Sequence, residues 1–365
     1  MTAARLTAAR CRRLPSNCPP LRSARPSLTF RTFGTMKLTS SGCKWEASIN
    51  TPAKSLIIIV GLLAVLAAPL SALAQLEPPA QWQSELLRDH ELVGQIWSSA
   101  DQAFISSTQF AERIAQARYL LLGEKHDNAD HHALQLATLE YLLGRQLVNS
   151  VAFEMMDETV MERLLDIQLQ AGMTLPELQA YLLWDEEGWD WDFYGPMLLA
   201  VYEAGVTLTA GNLSEASINR IYGDENAIDV TGILSAEAIA RLETDIDESH
   251  CGMLPASQFP AMVRVQQSRD RAMARSLRRP PQDEMSVLIA GNYHVRQDLG
   301  VPAYLRVREP SLSTEQIVSV AFMEVQEGVT SPPEYQDAFS EQQTYDYLWF
   351  TPALTSQDYC ASLQQ

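Results

Sequence analysis

The chain has 365 residues, with 27 Lys and Arg against 45 Asp and Glu, a formal net charge of −18 and 46% hydrophobic residues. That length and apolar content allow a large buried core, in one domain or in one domain with a helical annex. The acidic balance argues against nucleic acid and anionic lipid as partners, because the field of the chain repels both.

Residues 1–74 read as a targeting region. Leu56 to Ala68 is an apolar run too short for a comfortable span; it follows Lys37, Lys44 and Lys54 and ends in Ala72-Leu73-Ala74. This is the pattern of a secretory signal cut after Ala74. Met36 begins an ordinary n-region, so the signal is placed at about 36–74 and an exported, periplasmic protein is expected. The alternative is an uncleaved anchor helix, since extension through Leu73 gives a run about long enough to span; the protein would then be membrane-associated. Without residues 1–74, 17 Lys and Arg stand against 44 Asp and Glu, and Lys125 is the single lysine. Of five cysteines only Cys251 and Cys360 remain, which in an oxidising compartment form a disulfide or else two separate buried thiols.

In residues 75–365, short apolar runs followed by helical periodicity recur, which predicts an α/β fold with a mainly parallel sheet flanked by helices. Arg118–Leu122 is the first strand, with a helix from about Ala129 to Leu147. Val151–Phe153 is the second, followed by Glu154 and a helix through Met161, Leu164, Leu165 and Ile167. Val206–Ala210 ends in Gly211-Asn212 and precedes a helix from about Glu215. Val287–Ala290 ends in Gly291-Asn292. Ile317–Phe322 and Tyr345–Phe350 are expected as edge strands. Further helices at Leu175–Leu183, Ser235–Ile246 and about Pro260 to Leu277 suggest a helical annex over about 160–200 and 215–280. No internal repeat, Rossmann fingerprint or P-loop is present.

Ligands of an open parallel sheet bind beyond the carboxyl ends of its strands. Each of the four runs ends in polar residues there: Glu124 and His126, then Glu154, then Asn212, then Asn292 and His294. If the runs are parallel neighbours, these residues share one crevice. Gly123 and Gly291 at the strand ends allow a tight turn or close approach of a ligand. Asp127 or Asn128 caps the following helix, with His131 and His132 in its first turn, read as a solvated helix start. His126 and His294 are either ligand-facing or bonded to backbone to hold turns, and Glu154 either faces the ligand or pairs with an arginine. The aromatic stretch Trp184 to Tyr194 walls a flat ligand or anchors the annex. Arg264, Arg269, Arg271 and Arg275 on the long helix form a solvated face or meet an anionic ligand.

These motifs resemble the ChaN-type haem-binding uptake family of the wider Tiki-like superfamily. The resemblance lies in Leu121-Leu122-Gly123-Glu124-Lys125-His126-Asp127-Asn128, Val151-Ala152-Phe153-Glu154, His250-Cys251-Gly252-Met253-Leu254-Pro255, Arg269-Asp270-Arg271-Ala272-Met273-Ala274 and Ala290-Gly291-Asn292-Tyr293-His294-Val295-Arg296-Gln297-Asp298-Leu299-Gly300-Val301-Pro302. The ending Tyr347-Leu348-Trp349-Phe350-Thr351-Pro352, with Cys360 after it, is similar as well.

The resemblance implies an exported α/β protein of haem or iron acquisition, capable of holding haem at a dimer interface; a separate reading is a binding scaffold for an outer-membrane receptor with no cofactor of its own. Tyrosine and histidine are then the expected partners of the iron: Tyr293, His126 and His294 first, with Tyr194 and Tyr222 as other tyrosines. Lys125 and Arg296 are the cations expected nearest the propionates. Family members are often lipoproteins, whereas Gln75 follows the expected cut, which favours a soluble form. The superfamily also holds Tiki-like peptidases and erythromycin esterase-like enzymes. The alternative it implies is a hydrolase in which His126, Glu154 and His294 hold a divalent metal, or in which Glu124 or Glu154 acts as general base.

Overall fold

A computed structural model describes residues 75–170, 172–339, 342–356 and 360. The expected signal at about 36–74 lies outside the described residues, and within them no helix is long and apolar enough to cross a membrane.

The chain opens with two short strands, β1 (Ile96–Ser98) and β2 (Ala103–Ile105), and helix α1 (Ser107–Ile114). Strand β3 (Tyr119–Glu124) leads to α2 (Ala129–Leu143), and β4 (Val148–Asp157) to α3 (Met161–Asp166), α4 (Leu175–Leu182) and α5 (Trp191–Glu203). Then come β5 (Thr207–Asn212), α6 (Glu215–Gly223), α7 (Ala236–Ser249) and α8 (Phe259–Ser276). The last elements are β6 (Met285–Gly291), α9 (Val301–Arg308), β7 (Ile317–Glu324) and β8 (Tyr347–Thr351).

The strands form one sheet in the order β2-β1-β8-β7-β3-β6-β4-β5. From β8 to β5 all neighbours are parallel, while β1 runs antiparallel to both β8 and β2. The α/β reading of the sequence therefore holds, and the four runs are contiguous as β3, β6, β4 and β5. The two late runs correct an expectation: β7 sits between β3 and β8, and β8 is covered by β1, so neither is an edge. Val318, Val320, Phe322, Leu348, Trp349 and Phe350 are buried in these interior positions.

Alternation along the strands sorts the side chains into two cores. Leu120, Leu122, Val151, Phe153, Val287 and Ile289 face α2, α4 and α5. Tyr119, Leu121, Ala152, Leu288 and Ala290 face α8 and α9. Residues 160–200 and 215–280, read as an annex, are the connections from β4 to β5 and from β5 to β6. Of these, α5 and α8 lie directly on the sheet, while α7 joins only a small cluster of Leu242, Ile246 and Val263.

Candidate functional site

The carboxyl ends of β3, β4, β6 and β7 open on a crevice of about 1060 Å³, roofed by α7, the turn before α5 and the C-terminal tail. Glu124, Lys125, His126, Glu154, Gly291, Asn292, Tyr293 and His294 line it, together with apolar Leu86, Leu87, Trp189, Ile246, Met323 and Val325. Its volume is at the upper end of the ordinary range for small-molecule sites.

Two buried carboxylates organise the floor. Glu154, from β4, is only 2% exposed. It accepts from Arg269 Nη2 at 2.6 Å, from His294 Nε2 at 3.2 Å and from the Gly291 amide at 2.8 Å. Asp270 of α8 takes the other ring nitrogen of His294, Nδ1, at 2.6 Å. Burial disfavours charge on His294, but the two carboxylates outweigh it and raise its pKa to about 9. Burial likewise opposes the charge of Glu154, yet His294 and Arg269 hold it well below the usual carboxylate range.

The second carboxylate, Glu124, ends β3. Its Oε1 accepts from the Tyr194 hydroxyl at 2.6 Å and from His126 Nδ1 at 2.9 Å, while Oε2 lies 2.9 Å from His132 Nδ1. Burial raises its pKa, but the two histidines prevail and bring it to about 2. His126 is the exposed member, its ring edge-on to Trp189 with centroids 5.0 Å apart. Burial lowers its pKa, but Glu124 and Glu154 together leave it above its ordinary value. Its Nε2 lies over Gly291, where a Cβ would stand 2.9 Å from it. Gly291 is thus required by a close approach of the ring.

His131 and His132 are not a solvated helix start. Both are buried, because Asn128 caps α2 inside the protein by accepting from the amides of Asp130 and His131. His131 accepts from the Lys125 amide and bonds Thr351 Oγ1, each at 2.9 Å, which ties the turn to β8. Burial and the nearby His132 charge lower its pKa to about 3, so it is neutral.

Several expected site residues lie elsewhere. Arg296 is 4% exposed and is committed to Asp298 at 2.8 and 2.9 Å, away from the crevice, so it is not a cation for an anionic ligand. Gly123 serves packing: a Cβ there would come within 2.5 Å of Asn292 and Val295 side chains. Asn212 stands behind the crevice, accepting from Arg269 Nε at 3.2 Å and donating to the Glu154 carbonyl at 3.1 Å. Tyr194 is buried on Glu124, and Tyr222 bonds Gln258 outside the crevice. Tyr293 does line it, donating to Asp245 Oδ2 at 2.7 Å. Lys125 lies 3.0 Å from Glu324 at the rim.

The metal reading of His126, Glu154 and His294 is corrected as well. A ligating imidazole needs a free lone pair, and both nitrogens of His294 point at carboxylates; the two carboxylate oxygens of Glu154 accept from three donors. Among the described residues no three His, Cys, Asp or Glu are grouped to hold a metal ion. Sequence reasoning missed Asp270, Asp245 and the tail. Asp270 was visible beside Arg269, but only the phase of α8 shows that both face the sheet.

The titrations predict a stability optimum near neutral pH. His294, raised from 6.5 to about 9, contributes stability present below 6.5 and lost as pH rises through 9. His131, lowered from 6.5 to about 3, contributes stability that is lost as pH falls from 6.5 through 3. Urea midpoints should therefore drop on both sides. The alkaline drop should vanish in His294→Asn; a midpoint flat from pH 6 to about 9.5 would contradict this.

Comparison with known proteins gives one family: a model described as "Haem-binding uptake, Tiki superfamily, ChaN" matches residues 110–305. No curated protein matches the chain. Among solved structures, one described as "Cofacial heme binding to ChaN of Campylobacter jejuni" is 24% identical. It covers 74% of this chain and 98% of its own, with a TM-score of 0.59. An erythromycin esterase mutant in its open conformation is 15% identical over 65% of this chain and 81% of its own, at a TM-score of 0.36. The type III effector HopBA1 is 11% identical over 67% and 92%, at 0.37.

Proposed function

The chain belongs to the haem-binding uptake family ChaN of the Tiki superfamily, and from that premise we propose that it binds haem in the crevice beyond its parallel strands and serves iron acquisition after export. The observation that carries this reading is the makeup of the crevice. Leu86, Leu87, Ile246, Met323 and Val325 offer apolar walls to a porphyrin, Trp189 an aromatic one, and Lys125 and Arg269 offer cations to propionates. Tyr293 Oη and His126 Nε2 are the donor atoms suited to iron, the imidazole being oriented by Glu124 through its other nitrogen. Bound haem would supply the iron centre, which Tyr293 or His126 would hold.

Export is supported by the signal pattern of residues 36–74 and by the Cys251–Cys360 disulfide, which suits an oxidising compartment. A second copy closing over the crevice and an outer-membrane receptor are the partners this reading calls for. Haemin titrated into the purified protein is expected to develop a shifted Soret band. Tyr293→Phe or His126→Ala should weaken binding by about tenfold or more, according to which atom reaches the iron. If both variants keep the native spectrum and affinity, haem does not bind here.

His126 also has the form of a general base, with its Nδ1 held by a buried carboxylate and its ring facing a cavity. Turnover of ester or peptide substrates by haem-free protein, lost in His126→Ala, would establish a hydrolase; no turnover across a broad panel would dismiss it.

A further inference from the structure

One wall of the crevice is built on a backbone conformation that leucine avoids. Leu86 and Leu87 line the cavity, beside Met323 and Val325. Leu87 has a φ of 58°, in the left-handed region. There the Cβ of a residue other than glycine crowds its own following carbonyl oxygen, and an apolar side chain forms no local hydrogen bond to offset the cost. Such a residue persists only where its surroundings over-determine it, and residues of this kind concentrate at ligand sites.

The surroundings that hold Leu87 are polar and specific. Asp130, in the first turn of α2, is 0% exposed. One of its carboxylate oxygens accepts from the Gln83 amide at 2.7 Å and the other from the Ser84 amide at 2.8 Å. Arg88 folds back to donate to the carbonyls of Ser84 and Gln83, at 2.5 and 2.9 Å. Leu86 exchanges both of its backbone hydrogen bonds with Ala353, at 3.1 and 2.9 Å, and the Leu87 carbonyl accepts from the His90 amide at 3.0 Å. The chain is thus pinned before Leu87 and closed by a turn after it. Asn128, which ends the stretch carrying Glu124, Lys125 and His126 to the crevice, accepts from the Asp130 amide at 2.9 Å. The same helix start therefore fixes both the floor of the site and this wall.

We infer that Leu87 is a specificity-determining residue of the crevice and that the buried Asp130 is the residue that positions it. A wall fixed in advance meets the apolar face of a flat macrocycle with little ordering left to do on binding. It contributes nothing at the iron, so its effect is the same for haem and for the iron-free porphyrin. The ligand part of this inference rests on the haem reading above; the strain at Leu87 stands on backbone geometry alone.

Leu87→Gly and Leu87→Ala in the full chain separate the two parts. Both remove the side chain, but only glycine relieves the backbone, so the glycine variant should melt at the higher temperature, the reverse of the usual order of these two residues. Each should weaken haemin, followed by its Soret band, and iron-free protoporphyrin IX, followed by its fluorescence, by the same factor of about tenfold. Asp130→Asn, which loses an acceptor for one of the two amides, should weaken both porphyrins as well, and should add no further loss in the Leu87→Gly background, because the two residues act through one wall. A glycine variant less stable than the alanine variant would overturn the strain. Native porphyrin affinity in Leu87→Gly would overturn the specificity role while leaving the haem reading intact, and additive losses would remove Asp130 from it. A native protein that binds neither porphyrin would overturn the haem reading and the ligand part together, and the order of the two melting temperatures would still decide the strain.

Discussion

Glu154→Ala is expected to lower the unfolding free energy by about 3–5 kcal/mol, because it removes one partner from a buried ionic cluster and leaves the others charged. Arg269, His294 and the Gly291 amide all donate to this carboxylate, which is 2% exposed. His294 would keep Asp270 alone and would lose much of the attraction that holds its proton. Its titration should therefore move down from about 9 toward the ordinary 6.5. Equilibrium urea unfolding measures the first effect and NMR titration of the His294 ring the second. Glu154→Gln, which keeps an acceptor for Arg269, should cost less than alanine. A loss below about 1 kcal/mol for Glu154→Ala would mean that the cluster is not the keystone of the crevice floor.

Removing the disulfide is expected to have a comparable effect on global stability, by a different route. The bonded cysteines are separated by 109 residues. The entropy of closing a loop of about 100 residues in the unfolded chain corresponds to about 4.7 kcal/mol. The native contacts do not change in this argument; the unfolded ensemble does. Denaturant midpoints of the oxidised protein and of the double variant Cys251→Ser, Cys360→Ser should differ accordingly, and coincident midpoints would show that the unfolded chain is already restrained.

Much of the architecture was legible along the chain. Runs such as Leu120–Leu122 and Val287–Ala290 carry no polar residue, which only a strand buried on both faces requires. Their polar endings then marked the crevice. Edge and interior strands were not distinguishable, since the interior place of β8 depends on β1, which comes from the other end of the chain. Glu124 read as a ligand-facing acid, yet it is bonded to Tyr194 and His126, while Glu154, read as facing the ligand or pairing with an arginine, pairs with Arg269 and accepts from the Gly291 amide.

The amino-acid sequence by itself determined the parallel α/β plan, the family, and the contiguous set of strand ends that open the crevice. These follow from local periodicity and from motifs that survive without knowledge of contacts. Tertiary structure alone decided that His294 is an imidazolium bridging Glu154 and Asp270, that Arg296 turns away to Asp298, and that His131 is a buried neutral strut. The reason is physical. A side chain's charge and role depend on which groups lie within a few ångströms, and those groups come from elements far apart in the chain.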